Sequence, residues 1–71
     1  MIAATDLPAR QQQVLRLVAE GLTDRQVGER LGIAEGTARN HLYRAGQTLG
    51  FHTRTHAAVL AFEHGLLEAA A

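Results

Sequence analysis

The most regular spacing of apolar residues lies between positions 35 and 49. In a helix each residue turns the chain by about 100°, which places Ala38, Leu42, Ala45 and Leu49 on one stripe. The opposite stripe contains Gly36, Arg39, Asn40, Tyr43 and Gln47. The pattern therefore predicts a helix over 35–49 with one side that can pack and one side that is polar.

Three further segments have shorter amphipathic patterns, and each is followed by a glycine. They predict helices over about 7–20, 24–31 and 54–64, ended by Gly21, Gly32 and Gly65. The last of these helices carries apolar residues over an arc of about 200°, which is wider than one core contact needs and suggests a second packing partner. The alternative is a core that wraps around this helix, since most of these residues are alanine. We expect an all-α fold of four helices in a single domain over 1–71, with a core over about 6–67 and a tail frayed after Leu67.

Short polar residues indicate how the helices begin. Thr23 and Gln26 have the spacing of a capping box, in which each side chain bonds to the backbone N–H of the other residue. Thr53 can cap the fourth helix, and Asp6 can cap the first. Ala34 stands where the third helix needs a cap, so this helix lacks a bond typically worth about 1 kcal/mol.

The second helix, a corner at Gly32 and Ile33, and the third helix together have the form of a helix-turn-helix. The polar stripe of the third helix offers a guanidinium, a carboxamide and a phenol. These groups can contact base edges in a DNA major groove. The alternative is an ordinary solvated helix surface, as most polar stripes are.

Charge is balanced overall but not along the chain. The 71 residues include seven basic and seven acidic side chains, whereas DNA-binding domains are commonly basic. Between 35 and 56, however, Arg39, Arg44 and Arg54 stand against Glu35 alone, a net charge of +2 (three minus one). The positive excess therefore coincides with the polar stripe, and its small size predicts weak non-specific binding at physiological salt.

Other classes of function lack the residues they need. The sequence has no cysteine, which excludes disulfides and thiolate metal sites and suits a reducing compartment. The N-terminal residues do not have the pattern of a signal peptide, and no stretch reaches the roughly 20 apolar residues of a membrane span, so we expect a cytoplasmic location. His52, His56 and His64 could suggest a metal site, but no acidic cluster lies beside them. We expect no enzyme activity, no cofactor and no small-molecule site, since neither a Ser-His-Asp set nor a glycine-rich phosphate loop is present.

The order of short motifs resembles the LuxR-type (NarL/GerE-like) helix-turn-helix domain of bacterial regulators. The matching segments, in chain order, are Leu7–Leu15, Ala19–Thr23, Val27, Leu31–Ile33, Thr37–His41, Leu49–Gly50 and Arg54–Ala57. The resemblance covers about residues 6–67. It implies a fold of four helices, with the third helix in the major groove and the fourth at a twofold dimer interface.

The resemblance also implies roles for individual residues. Base contacts would come from Gly36, Arg39, Asn40 and Tyr43. Contacts to phosphates, or bracing of the third helix, would come from Thr23, Thr37, His41 and Arg44. The dimer face would consist of Thr55, Ala58, Val59 and Phe62. The implied function is that of a response regulator output domain that binds double-stranded DNA as a homodimer, is nucleoid-associated when bound, and can contact RNA polymerase.

Several positions differ from the usual residues of the family: Gln11 and Gln13 replace glutamates, Ala34 a capping Ser or Thr, Ala38 and Ala45 larger aliphatic residues, and Thr48 a Lys. The glutamines predict the loss of an ion pair to Arg54 or its neighbours. The alanines predict a thin core unless Phe51 fills the space. The missing lysine and the zero net charge keep a second interpretation open, namely a protein-interaction module that retains the fold and binds DNA weakly or not at all.

Overall fold

Four α-helices and one short 3-10 turn make up residues 2–67, the part of the chain that the computed structural model describes. In chain order these are a 3-10 turn at Ala4–Asp6, α1 (Ala9–Ala19), α2 (Asp24–Leu31), α3 (Glu35–Leu49) and α4 (Arg54–Glu63). These residues contain no strand, which confirms the expected all-α fold class. The expectation of a frayed tail after Leu67 falls outside the described residues.

The central helix is α1, which packs against each of the other three. On one side, Leu15 lies in a first apolar cluster with residues of α3 and α4. On the other side, a second apolar cluster joins α1 to α2 and α3 through Val14, Leu17, Val18, Val27 and Ala38. Leu42 of α3 packs against both clusters. Full burial of a side chain such as Leu15 is worth about 1.5–3 kcal/mol, and these contacts fix the orientation of α3.

The start of α1 differs from the expected one. Pro8 is the N-cap residue and forms no side-chain cap. Asp6 instead accepts a hydrogen bond from the backbone N–H of Ala3 at 3.0 Å, within the preceding 3-10 turn. Gln12 reaches back from α1 and donates to the carbonyl oxygen of Leu7 at 2.7 Å. The prediction that Asp6 caps α1 is therefore wrong, because its carboxylate lies two residues before the N-cap position and serves a turn of its own.

Side-chain caps form at the starts of α2 and α4, as expected. Thr23 Oγ1 accepts from the N–H of Gln26 at 3.2 Å, and Gln26 Oε1 accepts from the N–H of Thr23 at 2.9 Å, which confirms the capping box. Thr53 Oγ1 accepts from the N–H of His56 at 3.1 Å. Ala34 precedes α3 without a side-chain cap, so the first turn of α3 leaves backbone N–H groups without partners in the helix.

The corner between α2 and α3 is tight. Gly32 ends α2 in the left-handed region with a φ of 72°, and Ile33 packs against the second apolar cluster. The N–H of Ile33 donates to the carbonyl oxygen of Gly28 at 2.9 Å. A Cβ atom at Gly28 would lie 2.6 Å from the carbonyl oxygen of Ile33, so a glycine is needed for this approach. The two helices are therefore held at one angle by close backbone contact.

Phe51 occupies the space beside the small residues of α3. Its side chain is buried and shares the first apolar cluster with Ala45. Gly46 lies directly against it, since an added Cβ would be 3.0 Å from Phe51 Cε1 and 2.9 Å from the Phe51 carbonyl oxygen. An aromatic ring packed on a glycine thus lies in the cluster that contains Ala45, whereas Ala38 belongs to the second cluster.

Two hydrogen bonds tie the ends of the described chain to the helices. The N–H of Ala4 donates to Nδ1 of His64 at 2.8 Å, and Nε of Arg16 donates to the carbonyl oxygen of Leu66 at 3.0 Å. Ala4 and Leu66 are both buried in the first apolar cluster. Sequence periodicity does not reveal these roles, because each segment is too short to show a period.

Candidate nucleic-acid interface

The polar stripe of α3 faces outward. Arg39, Asn40 and Tyr43 are exposed, and Tyr43 keeps 63% of its surface accessible. Ala38 and Ala45, on the opposite side of the helix, are completely buried. The apolar side therefore fixes α3 while a guanidinium, a carboxamide and a phenol stay accessible to a ligand.

The stripe changes in shape along the helix. At the first turn, Gly36 is exposed, and a Cβ added there would have no neighbour within 4 Å beyond the helix's own nearby backbone. A partner can approach the backbone closely at this point. Farther along, Gln47 Nε2 donates to the hydroxyl of Tyr43 at 3.2 Å, which links these side chains along the helix.

Arg39 is engaged by two carboxylates in the isolated chain. Its Nε donates to Asp24 Oδ2 at 3.2 Å, and its Nη2 donates to Glu35 Oε2 at 2.8 Å. The side chain of Glu35 is 49% exposed, whereas that of Asp24 is only 17% exposed. The arginine expected to contact a base is therefore held by one enclosed acid and one acid open to solvent.

Asp24 also binds Arg54, the first residue of α4. Arg54 Nη1 donates to Asp24 Oδ1 at 2.8 Å, and Arg54 Nη2 donates to the carbonyl oxygen of Leu22 at 2.7 Å. Arg54 is nevertheless ion-paired, because the N-terminus of α2 supplies a carboxylate where α1 carries Gln11 and Gln13. One carboxylate thus connects α2, α3 and α4, and its place in the first turn of α2 is favoured by the helix dipole.

The residues expected to meet phosphates or to brace α3 lie in different settings. The hydroxyl oxygen of Thr23 accepts the capping bond of α2, so this residue has a structural role, and its hydroxyl hydrogen is still available to a ligand. Thr37 and Arg44 are exposed on α3, and His41 is half-buried beside them. A ligand on the polar stripe can reach the first two side chains directly.

An open cleft of about 510 Å³ lies between α3 and the start of α4. Its lining includes Asp24, Arg39, Tyr43, Gln47 and Arg54. Part of the polar stripe (Arg39, Tyr43 and Gln47) and the carboxylate that joins the three helices therefore line one cleft.

A second candidate surface lies on α4. Val59 and Phe62 are 45% and 61% exposed, Thr55 is also exposed, and Ala58 is half-buried. Ala61, by contrast, is completely buried in the core. Positions 55, 58, 59 and 62 follow helical spacing and share one side of the helix. This side presents apolar side chains to solvent in the single chain.

The three histidines that suggested a metal site have separate surroundings. His64 accepts the N–H of Ala4, whereas His52 and His56 are exposed near the start of α4. Across residues 2–67, no three His, Cys, Asp or Glu side chains are grouped so that they could hold a metal ion.

None of the helices in that same range has the length and apolar character that crossing a membrane requires.

Sequence patterns missed the role of Asp24 and left that of Glu35 unused. Glu35 and Arg39 are four residues apart in one helix, a spacing from which an ion pair can be inferred. Asp24 lies 15 residues before Arg39 and 30 before Arg54. Asp24, Arg39 and Arg54 meet only because α2, α3 and α4 pack around α1. No local spacing could therefore have indicated their contact.

Comparison with known proteins gives a family and several relatives. Residues 5–61 match the profile of a family described as bacterial regulatory proteins, luxR family (GerE). The chain is 40% identical over 57 residues to the DNA-binding transcriptional activator DevR/DosR of Mycobacterium tuberculosis, a match that covers 80% of this chain and 26% of that protein. It is 36% identical over 64 residues to the transcriptional activator protein BjaR1 of Bradyrhizobium diazoefficiens, covering 90% of this chain and 26% of the relative. It is 39% identical over 57 residues to the nitrate/nitrite response regulator protein homolog of Haemophilus influenzae, covering 80% and 27%.

The chain therefore spans about a quarter of the length of the curated relatives it matches. No solved structure matches it significantly.

Proposed function

The chain belongs to the luxR family of bacterial regulatory proteins, and we propose that it is the sequence-specific DNA-binding domain of a bacterial transcription regulator. In this proposal α3 enters the major groove of double-stranded DNA, and α4 forms a homodimer interface. The name of one relative, a DNA-binding transcriptional activator, supports the choice of DNA as partner.

The outward polar stripe on a helix whose other side is buried carries the proposal. With 15 residues, α3 is about 22 Å long, and a major groove about 12 Å wide admits such a helix. Arg39 can donate two hydrogen bonds to guanine O6 and N7, and Asn40 can make two with adenine, each pair discriminating by about 1–3 kcal/mol. Tyr43 can meet a sugar or a thymine methyl group, and Gly36 leaves room for close approach.

Contacts to phosphates would come from the margins of the same surface. Thr37 and Arg44 are exposed on α3, while Thr23 and His41 would brace the helix or bind a phosphate beside it. Such contacts give affinity that is independent of sequence and weakens as the salt concentration rises. Because the positive excess of this region is small, we expect base contacts to supply much of the binding.

Dimerisation through α4 belongs to the same proposal. A twofold axis through the side formed by Thr55, Ala58, Val59 and Phe62 would cover the exposed side chains of Val59 and Phe62 in each copy. Two copies of α3 would then read half-sites about one turn of DNA apart, in a short palindromic or tandem site.

We place the bound protein on the nucleoid in the cytoplasm. Since two relatives are named as transcriptional activators, a contact with RNA polymerase is included.

Selection of bound duplexes from a randomised pool tests this function. At low salt we expect the chain to enrich one short motif, and we expect the affinity, measured by fluorescence anisotropy, to fall steeply as salt is added. Absence of binding to any duplex in the pool would refute the proposal. Binding without enrichment would refute its sequence specificity.

A second candidate function is a protein-interaction module that retains the fold and pairs through α4. The zero net charge and the two carboxylates on Arg39 favour this reading, because both weaken the attraction to DNA. Such a module would self-associate to the same extent with and without DNA and would enrich no motif. The same selection therefore separates the two functions.

A further inference from the structure

We propose that Asp24 determines how strictly the domain discriminates between DNA sequences, an inference that rests on the proposed DNA-binding function. Asp24 holds Nε of Arg39, so that only the terminal guanidinium nitrogens meet a base. Its single negative charge also offsets part of the positive charge that Arg39 and Arg54 present to the phosphates of unrelated DNA. Glu35, the other acid on Arg39, gives way when DNA binds.

The carboxylate of Asp24 is tightly constrained. Its two oxygens accept from Arg39 Nε at 3.2 Å and from Arg54 Nη1 at 2.8 Å. Its side chain is 17% exposed, whereas those of the two arginines are 60% and 46% exposed. Hydrogen bonds between charged groups are strong and strengthen further where water is partly excluded. Asp24 therefore stays in place when a ligand covers the two arginines.

This bond decides which part of the guanidinium can contact a base. Nε carries one hydrogen, and it points to Asp24. The remaining four hydrogens are on the terminal nitrogens, of which Nη2 donates to Glu35 at 2.8 Å. Glu35 is 49% exposed, and among residues 2–67 it bonds to Arg39 alone through its side chain. Displacement of Glu35 by a guanine therefore frees both terminal nitrogens while Asp24 keeps the plane of the guanidinium fixed.

The same carboxylate lowers the attraction to unrelated DNA. Asp24, Arg39 and Arg54 line one cleft, so a phosphate that approaches either arginine also meets the negative charge. Unrelated DNA offers mainly phosphates, and affinity for them depends on how many uncompensated cations release counterions from the duplex. Removal of the Asp24 charge should therefore raise the affinity for unrelated DNA. At the specific site, the guanidinium of Arg39 is then no longer held in place, and this loss offsets any gain in affinity.

The test compares Asp24→Asn with Glu29→Gln. Both substitutions turn a carboxylate of α2 into the matching carboxamide and change the net charge by one. Glu29, however, is 66% exposed and pairs only with Arg25 across one helical turn of α2, in the described residues. Each variant of the whole chain is titrated by fluorescence anisotropy against a duplex selected from a random pool and against a scrambled duplex of equal composition. Titrations are repeated between about 50 and 200 mM salt.

We expect Asp24→Asn to bind the scrambled duplex about tenfold more tightly, with a slope of log affinity against log salt steeper by about one to two. It should bind the selected duplex no more tightly than the wild type, so the ratio of the two affinities falls about tenfold. Glu29→Gln should change either affinity by less than about twofold. Glu35→Gln should raise both affinities by the same factor and preserve the ratio, because the exposed Glu35 gives way to a guanine in the selected duplex and to a phosphate in the scrambled one.

Circular dichroism checks that each variant keeps its helices. If Asp24→Asn loses helicity, Asp24→Ser takes its place, and we expect the same changes in affinity from it. Equal changes at the two duplexes for Asp24→Asn, or changes no larger than those of Glu29→Gln, would overturn the proposal. A wild type that prefers no selected duplex would instead refute the proposed function. In that case the scrambled duplex still tests whether Asp24 weakens binding to unrelated DNA. Asp24→Asn must then raise the affinity for that duplex more than Glu29→Gln does.

Discussion

Gly36 and Gly46 lie on the same helix in opposite settings. Gly46 is buried against Phe51, and an added Cβ would meet the Phe51 carbonyl oxygen at 2.9 Å and its ring at 3.0 Å. Gly36 is exposed, with open space where a Cβ would be. The first glycine is required by packing, and the second is available for contact with a partner.

The same substitution should therefore have opposite effects at these two positions. We expect Gly46→Ala to lower the free energy of unfolding by about 1–3 kcal/mol, because Phe51 must move out of its place in the core. Gly36→Ala should raise it by up to about 1 kcal/mol, since alanine is the better helix former. Urea unfolding followed by circular dichroism measures both. Changes of the same sign in the two variants would contradict the packing described for Phe51.

Local residue chemistry explains which side-chain roles could be predicted. The capping box of Thr23 and Gln26 and the cap by Thr53 involve residues at most three positions apart, so their spacing specifies them. The bonds of Asp24 to Arg39 and Arg54 join residues far apart in the chain and depend on how the helices pack. The departures at Gln11 and Gln13 could not reveal the ion pair of Arg54, because a different helix supplies its carboxylate.

At the scale of the helices, α3 is well packed on its apolar side but lacks a side-chain cap at its N-terminus. Both apolar clusters hold it through Leu42, while Ala34 gives its first turn no side-chain bond. The backbone at Ala34 is extended, with φ of −66° and ψ of 151°, which is the conformation in which a serine can cap a helix.

We expect Ala34→Ser to raise the free energy of unfolding by about 1 kcal/mol, because its hydroxyl can accept a backbone N–H of the first turn. Ala9→Ser is the matched control. It lies at the exposed first residue of α1, inside the helix rather than at its cap, and should change the stability by less than about 0.5 kcal/mol. Thermal unfolding of the three proteins makes the comparison. A gain no larger than that of the control would show that the start of α3 is already satisfied.

The helical fold class followed from periodic apolar stripes and from glycines between them, and the structure confirms it. The 3-10 turn at Ala4–Asp6 and the burial of Leu66 did not follow, because short segments carry no period. The close approach of Gly28 to the carbonyl oxygen of Ile33 depends on how α2 and α3 pack, which no local spacing specifies.

At the scale of the whole molecule, two candidate surfaces depend on one core. The first apolar cluster contains residues of α1, α3 and α4, so the polar stripe and the exposed side of α4 are supported by the same packing. On the second of these surfaces, the single chain leaves Val59 and Phe62 exposed to solvent.

We expect Phe62→Glu to weaken self-association, because it places a charge on the most exposed apolar side chain of the proposed dimer face. Ala9→Glu adds the same charge at the exposed first residue of α1 and serves as the control. Sedimentation velocity over a range of concentrations, with and without DNA, measures the effect. A wild type that remains a monomer under all these conditions would remove the dimer from the proposal.

The central claim is that the outward stripe of α3 reads DNA sequence, and Arg39 tests it most directly. The measurement is the affinity of Arg39→Ala for the selected duplex and for a panel of duplexes that each carry one changed base pair. Arg25→Ala is the control, since Arg25 is 79% exposed on α2 and pairs with Glu29.

We expect Arg39→Ala to keep its helicity and to lose about 1–3 kcal/mol of discrimination at one guanine position, with the rest of the preference profile retained. Arg25→Ala should keep the whole profile. A uniform loss of affinity across the panel, or a profile identical to that of the wild type, would contradict the claim that α3 reads the sequence through Arg39.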